Sequence, residues 1–452
     1  MLIDDALKAL AKIFLPNTLY IVGGCVRNAL MATTPTDIDL CGALTPDEVF
    51  VLGGSHKELK IIPVNPRIGT LKLIFRGQQY EYTAFRRDNY DIGGAHRPEE
   101  VVFTRRIDDD AKRRDFTVNA VYYDIVNQKT VDPLGGIGDI VKKTLKTCAK
   151  PEKTLSEDGL RLMRLVRFAA EYGFSIDEET FSAAKKYAAL LEKISPERKR
   201  LELVGILNAD NISPESGMRG VERGLNLLCE IGLLKYIIPE LEDCVGFNQS
   251  AKYHKYDVFT HIIKTTAYAP KRIRLAALFH DIGKPQCFKE NGNMYRHSDY
   301  GVETAKIRLG ANGLRFSKDE INRALKLICH HMYDIDGRAA EKKVRIFIQE
   351  NAEIIPDLLE LKKADYAAKG FDDGVCQSAL KLERIFNEMR ERGIPTSVSE
   401  LKINGGDVRA LGFLKEEIGS VLRHVLYASA DAPRMLTREA QLAAARSMKK
   451  RI

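Results

Sequence analysis

The hydrophobic pattern changes period part-way along the chain, and this limits the fold more than any other feature. Up to about residue 148, short apolar runs rich in strand formers are separated by Gly, Pro and charged residues. These runs are Leu19 to Val22, Thr36 to Leu40, Thr70 to Phe75, Tyr80 to Phe85 and Ala120 to Ile125. The segment Asp132-Pro133-Leu134-Gly135-Gly136 is a turn cluster that closes the region. From about Ser156 the spacing is helical, with Leu160, Met163, Leu165, Val166, Phe168 and Ala169 on one face. Helical patterns continue to the C-terminus, interrupted at Asn211 to Pro214, Gly292 and Gly370. The expected fold is therefore α+β, an N-terminal α/β head followed by an all-α region.

At 452 residues, with 44% hydrophobic and 29% charged side chains, the chain has the composition of a folded protein of several domains. No apolar run approaches the roughly 20 residues that span a bilayer, and no signal peptide is read at Met1 to Asp5. The eight cysteines include no C-x-x-C pair, which disfavours a thiolate zinc site and fits a reducing cytoplasm. The formal charge of +8 permits a polyanionic partner without requiring one.

Asp37 and Asp39 stand at i and i+2 on the expected second strand, so their carboxylates share a face while Ile38 turns to the core. Such a pair suits Mg²⁺, and two ions can clamp an attacking hydroxyl and a leaving pyrophosphate. Alone, D-x-D is more often a solvated strand end. Gly23-Gly24, however, breaks the first strand ahead of a short helix from Cys25 to Met31. Glycines there admit a triphosphate to backbone N–H groups at a helix start. Arg27 lies one turn on, and Glu81 on a later strand offers a third carboxylate. Two further segments run from Arg113 to Ala120 and from Glu157 to Phe168. In the second, Asp158, Arg161, Arg164 and Arg167 recur every third residue, which on one helix stacks them along one side.

Taken in order, Gly23-Gly24-Cys25-Val26-Arg27, Asp37-Ile38-Asp39, Arg113 to Ala120, Asp132-Pro133 with Gly135 and Asp139, and Glu157 to Phe168 resemble the class II tRNA nucleotidyltransferase and bacterial poly(A) polymerase superfamily. The resemblance implies that Asp37 and Asp39 bind catalytic Mg²⁺, with Glu81 beside them. It implies that Gly23, Gly24 and Arg27 hold a triphosphate, and that Arg114, Asp115 and Asn119 contact ribose and phosphates. Asp158 and Arg161 would read the base, with Arg164 and Arg167 following on the same helix. That last role has a chemical basis. Cytosine and adenine both present an amine donor beside a ring-nitrogen acceptor, so one carboxylate and one guanidinium accept CTP and ATP and refuse UTP and GTP. This chain departs from the family pattern at Asn28, where an aspartate is usual.

Six of the nine histidines fall between His254 and His331. His280-Asp281 ends an apolar helical run from Ile273 to Phe279. An imidazole beside a carboxylate, with further histidines on other helices, is a binuclear metal pattern. The stretch resembles an HD-type phosphohydrolase domain. The resemblance places metal ligands on His261, His280, Asp281 and Asp365, and offers His297, His330 and His331 for a second metal or for phosphate.

The expected organisation is a catalytic head over 1–148, a nucleotide-recognition and tRNA-binding region over 149–245, an HD domain over 246–370 and a helical tail over 371–452. The expected activity is addition of CCA to tRNA 3′ ends from CTP and ATP with Mg²⁺, in the cytoplasm, with no membrane and no DNA involved. Arg198, Lys199 and Arg200 are candidate phosphate contacts. Two alternatives stay open. One is a poly(A) polymerase or a CC- or A-adding enzyme, although no G-R-R-F-like segment marks the former. The other is an RNA-binding, metal-dependent phosphohydrolase with a vestigial transferase site.

Overall fold

The computed structural model describes residues 3–34, 37–89, 99–213, 217–249, 254–371, 375–430 and 433–449. Thr36 and Pro214, named above, lie outside them. The chain forms two compact units, Met1–Pro239 and Glu240–Ile452.

The first unit is built on a seven-stranded sheet. Its strands are β1 (Leu19–Val22), β2 (Asp39–Gly42), β3 (Leu59–Asn65), β4 (Thr70–Phe75), β5 (Gln78–Ala84), β8 (Tyr122–Asp124) and β9 (Lys129–Val131). β6 (Arg86–Asn89) and β7 (Glu100–Phe103) form a separate antiparallel ribbon. The sheet order is β3-β4-β5-β2-β1-β8-β9, antiparallel throughout except that β2 runs parallel to β5. Leu19, Ile21, Leu40, Tyr82 and Ala84 are fully buried on one face of the central strands, and Cys41 is buried on the other with Val22 and Tyr122.

Three sequence expectations shift. The second strand begins at Asp39 rather than Thr36; Asp37 precedes it, exposed, and Ile38 is only half-buried. The β5 strand starts two residues early, and Ala120 and Val121 sit in the turn before β8. Strand β3 escaped notice because beyond Leu59 none of its side chains is buried, which leaves no alternation to read.

The helical half of this unit corrects a further reading. Glu157 to Phe168 is not one helix. Pro151–Glu157 ends at Asp158, whose backbone is extended (φ −148°, ψ 105°), and Leu160–Tyr172 begins afresh. The Asp158 carboxylate, one residue before the Gly159 N-cap, accepts from the Leu160 N–H at 2.9 Å. Leu162, Met163, Leu165, Val166, Ala169 and Ala170 are completely buried against Pro196–Leu207 and Gly220–Ile231.

The second unit is helical. Val258–Tyr268, Arg274–Phe279, Lys284–Asn291, His297–Leu309, Lys318–His330 and Ile355–Ala367 surround the histidines. Further along, Gly405–Ala410, Ile418–Ala428 and Arg438–Met448 enclose a core of Val408, Phe413, Val421, Val425 and Ala445. No helix among the described residues is long and apolar enough to cross a membrane.

Candidate functional site

In the head, the β-ladder places the acidic residues. Asp39 stands in register with Glu81 across the parallel β2–β5 pair, so the two side chains share a face and both are exposed. On its other side Asp39 pairs with Val22, the last residue before the glycine turn. Gly23 takes a left-handed φ of +78°, and a Cβ there would lie 3.8 Å from Asp39 Oδ2. The carboxylate therefore faces the turn. Desolvation by the surrounding strands, then the Glu81 charge, raises the Asp39 pKa, with Asp37 adding and Arg114 opposing. Mutually repelling carboxylates around one face fit a divalent cation, which would relieve that repulsion. A cavity of about 260 Å³ adjoins them, bordered by Asp39, Glu81, Thr83, Arg86, Arg113 and Arg114.

Arg27 is 5% exposed, on the short helix Gly24–Leu30. Its guanidinium donates to Asn119 Oδ1, to Asn28 Oδ1 at 3.0 Å and to the Tyr172 hydroxyl at 2.6 Å. It also lies 4.4 Å from the Tyr172 ring centre and 5.2 Å from that of Phe168. All three hydrogen-bond acceptors are neutral, and Nε is buried without a partner. Desolvation lowers the Arg27 pKa. Asn28, the departure from the family pattern, thus still helps to hold Arg27.

Asn119 passes the contact on. Its amide donates to Asp115 Oδ1 at 3.0 Å, and Asp115 Oδ2 accepts from Arg164 at 2.6 and 2.8 Å. Burial would raise the Asp115 carboxyl, but Arg164 and Asn119 outweigh it and hold it at about 2. Arg114 serves a second buried centre, donating to Asp110 Oδ2 at 2.9 Å and to the Tyr122 hydroxyl at 3.1 Å. Arg161 is buried; it donates to the Thr154 carbonyl and the Arg113 carbonyl, each at 2.8 Å, and to Glu157 at 3.2 Å. Arg167 turns instead to Glu202 and Glu171, at 2.5 and 2.8 Å. The expected single row of Asp158, Arg161, Arg164 and Arg167 is therefore not formed. Asp158 sits between two helices, and each arginine has its own set of partners. Lys199 donates to the Tyr236 carbonyl at 3.2 Å, while Arg198 is exposed.

The second unit gathers His261, His280, Asp281, His297, His331 and Asp365. Two groups form, His261–His280–Asp365 and Asp281–His297–His331, with the ligand atoms of each group within 4.8 Å of one another. Asp281 joins them. Its Oδ2 lies 3.4 Å from His261 Nε2 and 3.3 Å from His280 Nε2, and its Oδ1 lies 2.9 Å from His297 Nε2 and 3.6 Å from His331 Nε2. Asp365 Oδ1 is 2.9 Å from His261 Nε2. Each of the four rings gives its Nδ1–H to a backbone carbonyl, of Ala368, Ala277, Met294 and Ile328, at 2.7 to 3.3 Å. The inward Nε2 atoms are then lone-pair donors, yet they lie 3.4 Å apart in one pair and 3.2 Å in the other. Facing lone pairs flanked by carboxylates fit divalent cations held by imidazoles whose tautomer is fixed from behind.

His330 is the exception. It points away from the cluster, with its ring 5.3 Å from that of Phe347, because consecutive helical residues face different sides. His254, in contrast, packs edge-on against His261 at 4.7 Å and lines a cavity of the second unit together with Asp281, His297 and Asp365. Burial, reinforced by Lys284, pushes the His254 pKa down to about 3.

Three protein-family models match the chain: the poly A polymerase head domain over residues 19–146, a probable RNA and SrmB-binding site of polymerase A over 173–245, and the HD domain over 258–369. A CC-adding tRNA nucleotidyltransferase of Thermus thermophilus is 30% identical over 92% of this chain and 91% of its own length. The chain belongs to the tRNA nucleotidyltransferase family. A CCA-adding enzyme of Staphylococcus saprophyticus is 38% identical over 43% of this chain and 47% of that relative. Among solved structures, the Bacillus stearothermophilus CCA-adding enzyme in complex with CTP aligns over 99% of this chain and 97% of that one, with a TM-score of 0.66 at 22% identity. That likeness is one of fold.

Within this tRNA nucleotidyltransferase, sequence reasoning missed Tyr172, Asp110, His254 and Lys284. Lys284 sits 2.5 Å from Asp281 Oδ2. His254 was in the histidine-dense stretch and its cluster was a usable signal. Tyr172 meets Arg27 across 145 residues, a contact that no local spacing reveals.

Proposed function

We propose that this chain adds CCA to the 3′ ends of tRNA from CTP and ATP. The observation that carries the reading is the register of Asp39 beside Glu81, facing the Gly23 turn, in a member of this family. Asp37, Asp39 and Glu81 would hold Mg²⁺, which when bound offsets charge on the α-phosphate and the leaving pyrophosphate. Gly23 and Gly24 leave room for phosphates at the start of the Gly24–Leu30 helix. Arg27 is pre-set behind them by Asn119, Asn28 and Tyr172. Asp158 and Arg161 would read the amine and ring-nitrogen edge of the base, and Arg114, Asp115, Arg164 and Arg167 would keep the surrounding frame rigid. The 3′-hydroxyl attacks the α-phosphate and pyrophosphate departs.

In this reading 1–148 is the catalytic head, 149–245 the nucleotide-recognition and tRNA-binding region, 246–370 the HD domain and 371–452 a helical C-terminal region. The place of action is the cytoplasm. Trimmed tRNA incubated with CTP, ATP or both tests the reading. Expected are two cytidines with CTP alone and a completed CCA with both, lost in Asp39→Ala. A product that stops at CC with both nucleotides present would make the chain a CC-adding enzyme like its Thermus relative. Incorporation of neither would overturn the reading.

A second reading is supported by the bridged histidine–aspartate cluster: the HD domain is a metal-dependent phosphohydrolase. His261, His280, Asp281, His297, His331 and Asp365 would hold the metals, which supply an activated water and polarise the phosphate. Hydrolysis of 2′,3′-cyclic phosphates that disappears in Asp281→Ala supports it. A purified protein without metal counts against it.

A further inference from the structure

We propose that Asn28 sets how tightly this chain holds nucleoside triphosphates and pyrophosphate, by leaving the charge of Arg27 uncancelled beside the glycine turn. This rests on the nucleotide-addition reading above and names a residue that tunes its substrate affinity.

The contacts of Arg27 divide between its two terminal nitrogens. Nη1 donates to Asn119, and Nη2 donates to Asn28 Oδ1 at 3.0 Å and to the Tyr172 hydroxyl at 2.6 Å. The same Nη2 fronts the glycine turn, since a Cβ on Gly24 would meet it at 3.4 Å. Side chain 28 therefore touches the corner of the guanidinium that lies nearest the glycines.

Carboxylates stay one group further back on both sides. The Tyr172 hydroxyl donates to Glu171 Oε1 at 3.1 Å, and the Asn119 amide donates to Asp115 Oδ1 at 3.0 Å. Their pull on Arg27 is weakened by that extra distance. Burial pushes the Tyr172 phenol up to about 12, so this acceptor stays neutral at neutral pH. Of the two acceptors on Nη2, Asn28 alone has an isostere, aspartate, that is charged there. Aspartate, the usual residue of the family pattern at this position, would put a carboxylate on the guanidinium itself. It would act against an incoming phosphate twice, by cancelling the charge that attracts it and by repelling it directly. The amide keeps an oxygen on Nη2 and removes both effects. The resulting gain in affinity grows with phosphate charge, so it is large for CTP, ATP and pyrophosphate and small for CMP.

The test uses the full chain with Mg²⁺. Equilibrium dialysis of CTP, CMP and pyrophosphate needs no turnover, and KM for CTP and ATP on trimmed tRNA is measured beside it. Close charge pairs alter affinity by about tenfold or more. Asn28→Asp is therefore expected to weaken CTP and pyrophosphate by about tenfold, to weaken CMP by less, and to raise KM for both triphosphates in step. Asn28→Ala removes the acceptor without adding charge, and is expected to weaken CTP less than Asn28→Asp does. A purely structural role would give the reverse order, because aspartate keeps the shape that alanine loses. CTP binding that follows the expected order without incorporation into tRNA would remove the nucleotide-addition reading and keep the role of Asn28. Equal CTP affinity in the parent and Asn28→Asp, an equal or larger loss in Asn28→Ala, an equal loss for CMP, or a parent that binds no CTP would overturn the proposal.

Discussion

At the scale of single residues, the head depends on side chains that connect others. Asn119 accepts from Arg27 and donates to Asp115, so truncation leaves one buried cation and one buried carboxylate each short of a partner. Hydrogen bonds to charged groups are worth about 1.5–3 kcal/mol. Asn119→Ala should therefore raise KM for CTP and ATP roughly tenfold or more while KM for tRNA stays close to the parent; steady-state kinetics on each substrate checks this. Asp110 gives a pH prediction. Burial opposes its ionisation, but Arg113 and Arg114 hold its pKa at about 2, below the unfolded value of about 3.9. A depressed carboxylate stabilises the fold above its unfolded pKa, and that contribution of about 2.6 kcal/mol is lost progressively as pH falls from about 5 to below 2. Thermal unfolding measured over that range should show a steeper fall for the parent than for Asp110→Asn, which starts less stable at pH 7. Equal slopes would refute the assignment. The residues legible in the sequence were those with local spacing: the glycine pair before a helix, and Asp39 two after Asp37. Tyr172 was not legible, because its role arises only when the end of one helix meets the start of another.

At the scale of elements, sequence periodicity located the strands and helices but not their breaks. The run from Glu157 to Phe168 has unbroken helical spacing, yet it divides at Asp158. Gly159 explains why a division fits here: a Cβ at that position would lie 2.7 Å from the Leu190 carbonyl oxygen, so the junction packs directly on another segment's backbone. Such contacts are set by tertiary approach, which period alone does not encode. The HD helices show the same dependence. A Cβ on Gly283 would come within 2.3 Å of the His297 carbonyl oxygen and 2.6 Å of the Gly301 nitrogen. Gly283→Ala should push the His297–Leu309 helix outward and cost roughly 1–3 kcal/mol. The expected result is reduced bound metal by elemental analysis, with nucleotide addition retained. Full metal content would show that the helix absorbs the extra methyl group.

At the scale of the whole molecule, the two candidate centres lie in separate units. The acidic strand pair and Arg27 belong to Met1–Pro239, and the histidine cluster to Glu240–Ile452. Asp39→Ala and Asp281→Ala should consequently dissociate: the first abolishes nucleotide incorporation and leaves HD metal content intact, and the second does the reverse. Loss of both properties in either variant would show that the units are not independent. The change in hydrophobic period near residue 156 falls inside the first unit, since helices from Pro151 onward pack with the head. Periodicity therefore announced the change of secondary structure correctly, while compactness, a property of long-range packing, placed the division later.

The neutral surroundings of Arg27 have a thermodynamic corollary. An interior cation whose direct hydrogen-bond acceptors are an amide pair and a phenol is reached by the charges of Asp115 and Glu171 only from behind those groups. Any polyanion that supplies negative charge directly adds to stability as well as to occupancy. Inorganic tripolyphosphate, which has neither sugar nor base, should then raise the melting temperature of the parent and do so less in Arg27→Gln. On the proposed function, a bound nucleotide would in that sense complete the interior of the head and be more than its cargo.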